Sequence, residues 1–143
     1  MSPRPEGTYR FGRSLKPLRH PRFWCALWCL AIAVIVVGSL MPPPPMPDFD
    51  GSDKWTHFLG YFVVAASAVQ LFRNWAGLFG AGLGLVLLGI GIEHAQGALT
   101  VDRMFDMKDA LANTLGVIAG LGTRLTPWRD LLLRIDGGRD GAG

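Results

Sequence analysis

Three short polar clusters hold the residues of this chain that are able to do chemistry. They are Asp53-Lys54-Trp55-Thr56-His57 with Tyr61, then Glu93-His94-Ala95-Gln96, then Arg103 followed by Asp106, Asp109 and Asn113. A neutral histidine beside a carboxylate is a workable general base, and a second carboxylate can serve as the acid. Arg103 or Lys54 is suited to holding a phosphate or carboxylate of a ligand. His57, Glu93 and Asp109 are the candidate catalytic residues, because each lies near apolar sequence and away from the obvious helix-cap positions. Asp53, Lys54, Tyr61, Gln96, Arg103, Asp106 and Asn113 are the candidate binding residues. No nucleophile motif of the G-x-S-x-G kind and no glycine-rich phosphate loop accompanies them. His57 with Glu93, Asp106 or Asp109 could ligate a metal, but one imidazole among carboxylates is a loose pattern. The sequence alone therefore assigns no metal and no cofactor.

Spacing places each cluster on one helix face. Asp53, His57 and Tyr61 recur every four residues, as do Asp109 and Asn113, while Glu93 and Gln96 are three apart. The elements that must position them are apolar helices. Of the 143 residues 50% are apolar and only 17% charged, where a soluble domain has about a quarter charged. The charges also cluster outside long apolar runs, which is the membrane pattern.

Four spans are legible. Phe23 to Met41 is apolar apart from Ser39, and its length nearly matches a hydrocarbon core. The second runs from about Trp55 to Phe72, broken by His57, Tyr61, Ser67 and Gln70. The third, from about Trp75 to Ile92, is rich in glycine, and Gly80-x-x-x-Gly84 has the spacing for close helix approach. The fourth is apolar mainly from Ala110 to Leu121 and crosses only if extended to Asp106 and Leu125 with its polar end facing protein. Gly116 and Gly120 offer it a packing face. The expected fold is all-α, a compact bundle of four transmembrane helices.

Basic residues give the orientation. Arg4, Arg10, Arg13, Lys16, Arg19 and Arg22 precede the first span; Arg124, Arg129, Arg134 and Arg139 follow the fourth; Arg73 lies between the second and third. By the positive-inside rule both termini are cytoplasmic, which puts all three polar clusters on the outer side. Residues 1–22 then form a basic cytoplasmic segment with its first 20 residues disordered. Residues 23–125 form the membrane domain. Residues 126–143 comprise an interfacial Leu/Arg segment and a disordered tail. Pro42 to Pro45 with Pro47 predict a stiff extended connection. A cleaved signal peptide is the competing reading of the first span, but its apolar run is long for one. The basic flank points to anionic inner-leaflet lipid and not to nucleic acid. Cys25 and Cys29, one helical turn apart in an apolar run, read as packing residues.

Each polar residue also has an ordinary structural reading. Asp53 and Asp106 could cap helices, and Lys54 and Trp55 could anchor at an interface. Tyr61 could pack with a satisfied hydroxyl, and Asn113 could bond between helices. Arg103 could pair with Asp106 or with Glu93. His94 projects about 100° from Glu93 and reads as a rim residue.

The pattern Asp53-Lys54-x-x-His57-x-x-x-Tyr61, Glu93-x-x-Gln96, then Arg103 with Asp106, Asp109, Asn113 and Gly116, resembles the VanZ-like membrane protein family over about residues 25 to 122. That family takes its name from an accessory protein that raises bacterial resistance to teicoplanin, a glycopeptide antibiotic. The resemblance implies a small multi-span protein of the bacterial cytoplasmic membrane with a cell-envelope role, and it implies no particular reaction.

Three functions remain open on the sequence. One is a pocket that binds or modifies a lipid-linked or anionic envelope component. The second is an enzyme that hydrolyses or transfers a group on a lipid-linked precursor. The third is a structural polar network that locks three helices together. Transport suits the chain less, because its charges sit at one depth and not along a path.

Overall fold

The computed structural model describes residues 14–42, 45, 50–101 and 104–137. Its elements are α1 (Pro21–Leu40), α2 (Ser52–Leu71), α3 (Trp75–Leu99), α4 (Met107–Gly122), two short 3-10 turns (Thr123–Leu125 and Pro127–Asp130) and α5 (Leu131–Ile135). No strand is present among the described residues; a single isolated bridge joins Leu15 to Phe72. Arg103 and the prolines at 43, 44 and 47 fall outside the described residues, as do positions 1–13 and 138–143, so the expectations resting on them have no structural counterpart.

Local chemistry sets the helix ends. Pro21 starts α1, where its missing N–H costs nothing, and α1 ends just before Pro42. Gly51 begins α2 at φ 83°, a left-handed conformation that favours glycine. Asn74 caps α3 by accepting from Gly77 N at 2.8 Å, and Asp106 caps α4 by accepting from Lys108 N at 2.8 Å. The cap expected of Asp106 is therefore present. That expected of Asp53 is not: Asp53 lies inside the first turn, and Gly51 holds the cap position without a side-chain bond.

The helices run alternately up and down, and α2 lies closest to α4. Gly116 and Gly120 make that approach possible. A Cβ at Gly116 would strike the Phe58 carbonyl, and one at Gly120 would lie 2.5 Å from the Phe62 carbonyl. The glycines of Gly80-x-x-x-Gly84 behave differently, since a Cβ at either meets nothing within 4 Å. Close approach on α3 instead uses Gly82, against Leu121, and Gly89, against Asn113 and Tyr61. Spacing alone could not choose among so many glycines. Between the helices sit two buried apolar groups, Val64, Ala65, Leu85 and Val117, and then Ala68, Val69 and Leu78.

α1 and α3 are long and apolar enough to cross a membrane. α2 and α4 fall short of that standard by length and composition. α2 carries Asp53, Lys54 and His57 in its first two turns, and α4 has only 16 residues. Large apolar side chains nevertheless cover the outside of all four helices, among them Phe23, Val34, Val63, Phe79, Leu83 and Ile118.

The segment before α1 departs from the expected disorder between residues 14 and 20. Lys16 N donates to Leu71 O at 2.8 Å, and Arg73 N donates to Ser14 O at 2.6 Å. The Lys16 side chain is buried, pairs with Asp130 at 2.9 Å and donates to the Arg129 carbonyl. Cys25 and Cys29 are free thiols, the second exposed, so neither packs in the core.

Candidate functional site

The first turns of α2, the last turns of α3 and the first turns of α4 meet at one end of the bundle. Their side chains form a graded well. Tyr61, Glu93 and Asn113 make its floor, each no more than 2% exposed. His57 and Asp109 stand above them at 13% and 16%. Lys54, Asp106 and Asp53 form the rim at 34%, 39% and 50%.

On the rim, the Lys54 ammonium collects three carboxylates: Asp53 at 2.6 Å, Asp109 at 3.3 Å and Asp106 at 3.5 Å. It is thus a partner inside the cluster, beyond any anchoring role. Below it, His57 Nε2 lies 3.7 Å from Asp109 Oδ2, and His57 Nδ1 lies 3.1 Å from Asn113 Oδ1. An amide oxygen has only lone pairs to offer, so the Nδ1 facing it carries the hydrogen. Glu93 reaches the same place from α3, with Oε2 accepting from the Asp106 backbone N–H at 3.4 Å. His57, Glu93 and Asp109 each place one nitrogen or oxygen within 4.8 Å of those of the other two.

The floor contains buried polar atoms that lack a hydrogen-bond partner: Tyr61 OH, Glu93 Oε1 and Asn113 Nδ2. Asp109 Oδ1 also lacks one, although Lys54 lies beside it. Buried polar groups are ordinarily paired, and leaving one unpaired costs about 1–3 kcal/mol. Tyr61, Glu93 and Asn113 thus gather three unpaired atoms at one end of the bundle, while Lys54 stands 3.3 Å from the fourth. Gly89 allows two of them to meet α3, since a Cβ there would sit 3.3 Å from both Tyr61 OH and Asn113 Nδ2.

One of the expected residues, Gln96, faces elsewhere, and His94 lies outside the cluster. Gln96 is buried, but its amide donates to the Ser39 carbonyl at 2.7 Å and ties α3 to the end of α1. His94 is exposed, with Nδ1 2.9 Å from the Ile90 carbonyl and its ring 4.8 Å from that of Phe105. That agrees with a rim position outside the cluster. No family model, curated protein or solved structure matches this chain.

The opposite end of the bundle holds a second polar network, which the sequence reading missed. Asp136 accepts from the backbone N–H groups of Arg19 and His20, from the Trp24 indole at 2.9 Å and faces His20 Nδ1 at 3.1 Å. These donors, the Trp24 indole first among them, pull the Asp136 carboxyl down to about 2. The hydrogen bond from Lys16 likewise holds Asp130 below the usual carboxylate range. Gln70 donates to the Trp128 carbonyl at 3.0 Å and accepts from Leu132 N at 3.1 Å. An apolar groove of about 440 Å³ lies toward this end, between α1, α2 and α5, lined by Trp24, Trp28, Phe62, Gln70, Leu131 and Ile135.

Proposed function

We propose that this chain is a four-span membrane protein with both termini cytoplasmic, whose outward-facing well binds or modifies a lipid-linked or anionic component of the cell envelope. The convergence of three helix ends on buried, unpartnered polar atoms is the observation that carries this reading. A network kept for structure alone would be expected to satisfy its own members, because a half-satisfied one is worse than an apolar core. A ligand supplies the missing partners.

Charge along the bundle supports the orientation. Arg19, Arg22, Arg73, Arg124, Arg129 and Arg134 belong to one end together with Lys16, Asp130 and Asp136, while Asp53, Glu93, Asp106 and Asp109 belong to the other with only Lys54 and Lys108 as described cations. The apolar covering of α2 and α4 supports four spans, since His57, Tyr61, Asp109 and Asn113 turn inward at the well. The motif resemblance to VanZ-like proteins favours an envelope component as the ligand class. Lys54, on the half-exposed rim, is the cation that would exchange its carboxylate partners for an anionic head.

The test is binding of a polyprenyl phosphate to the detergent-purified protein, read by thermal shift and native mass spectrometry. Saturable binding that is weakened in Lys54→Ala and lost in His57→Ala is expected. Equal binding by wild type and both variants would refute the assignment. Topology is checked with Met104→Cys in a Cys25→Ser/Cys29→Ser background: labelling by an impermeant reagent from outside the cell is expected, and labelling only from inside refutes the orientation.

A further inference from the structure

The inner part of the well, from Glu93 up to His57 and Asp109, has the makings of a metal site. We propose that His57, Glu93 and Asp109 bind one divalent ion of the zinc class, with Asn113 and the Asp106 backbone N–H as orienting partners. The inference stands on the cluster itself and does not depend on the identity of any envelope ligand.

Three observations carry it. First, one ligating atom from each residue already lies within 4.8 Å of the other two. Metal–ligand bonds near 2.0–2.2 Å place tetrahedral ligand pairs about 3.4 Å apart, so closure requires shifts on the order of 1 Å. The His57 Nε2–Asp109 Oδ2 pair, at 3.7 Å, is nearly there. Second, neighbouring groups hold one side of two of these residues and leave the other atom without a protein donor. His57 Nδ1 is turned to Asn113 Oδ1, which leaves Nε2 toward Asp109. Glu93 has Oε2 held by Asp106 N–H, which leaves the buried Oε1 with no partner. Metal-binding histidines and carboxylates are oriented in this manner by groups behind them. Third, the charge balance calls for a cation. Among the described residues, Asp53, Glu93, Asp106 and Asp109 gather at this end against Lys54 and the exposed Lys108, and neither cation pairs with Glu93.

The donor set chooses the ion. One imidazole with two carboxylates suits zinc or a neighbouring first-row dication better than calcium or magnesium, which prefer oxygen alone. Three protein ligands would leave a coordination position for water or a ligand oxygen. A dication there would also turn a carboxylate-lined well into one that attracts a phosphate.

The deciding experiment is a Co²⁺ titration of the chelator-stripped, full-length protein in detergent, followed by visible absorption with Zn²⁺ as competitor. The expected result is one equivalent of Co²⁺ with the d–d bands of a protein-ligated ion, displaced by one equivalent of Zn²⁺. Asn113→Ala should weaken affinity about 10- to 100-fold. Glu93→Gln and Asp109→Asn should weaken it further, and His94→Ala should leave it unchanged. Absence of stoichiometric bands in the wild type overturns the proposal. Binding that survives Glu93→Gln and Asp109→Asn, or is lost in His94→Ala, also overturns it. The wild-type titration decides by itself should a variant fail to fold. Metal binding without polyprenyl phosphate binding would leave this site standing and remove the ligand reading.

Discussion

The two ends of this bundle are both polar, and they treat their polar groups in opposite ways. At the α1 start, Asp136, Lys16, Asp130 and Gln70 have partners on several elements, and none of them has a buried atom left without one. At the α2 start, Tyr61, Glu93 and Asn113 are more deeply buried yet retain unpartnered atoms. The first arrangement fastens chain segments together. The second keeps donors and acceptors available inside protein, which is sustained only where some other group completes them. Burial alone therefore does not tell a fastened polar group from an unfinished one, whereas the state of its hydrogen bonds does.

This contrast can be broken or sharpened by substitution. The largest effect is expected in the frame that both ends share. Gly116→Ala places a methyl against the Phe58 carbonyl, and forcing α2 from α4 should cost about 1–3 kcal/mol, read as a lower Tm in detergent. Gly84→Ala, into open space, should be neutral or slightly stabilising.

Next comes the fastened end. Asp130→Ala leaves the Lys16 ammonium, 6% exposed, with only the Arg129 carbonyl. With Asp130 itself 35% exposed, the expected loss is about 2 kcal/mol, below the range for a fully buried pair.

Smaller still is the pH dependence of the same end. Asp136 is held down to about 2, below an unfolded value near 4. Its contribution is therefore complete above about pH 4 and lost as pH falls toward 2. Thermal melts of wild type should weaken across that window, and Asp136→Asn should flatten the dependence. An unchanged pH profile in Asp136→Asn would show that the contact does not hold the C-terminal segment.

The sequence revealed the end with unmet groups more readily than the fastened one. Asp53, His57 and Tyr61 announce a face through their spacing within one helix, and so do Asp109 and Asn113. Apolar runs located all four main helices, although α3 continues from the expected end near Ile92 to Leu99, through the Glu93–Gln96 cluster. The depth of each side chain was not legible, because it depends on how α3 meets the α2–α4 pair. Thus Gln96, which shares the Glu93 face by spacing, turns to Ser39 instead. The fastened end was hidden because its partners are remote. Lys16 reaches Arg129 across 113 positions, and Asp136 reaches Arg19 across 117, so neither short-range spacing nor composition signals them. Residues 14–20 look polar and irregular by themselves, and they are ordered by acceptors the local sequence does not contain.

The central claim is that the α2–α3–α4 end is kept for a ligand and not for stability. Its most direct test is the melting temperature, in detergent with chelator, of wild type beside Glu93→Gln. Neutralising a buried carboxylate that lacks a partner on Oε1 and lies beside Asp109 should leave stability equal or raise it by up to about 1 kcal/mol. A marked loss of stability in Glu93→Gln would contradict the account and make the cluster a structural lock.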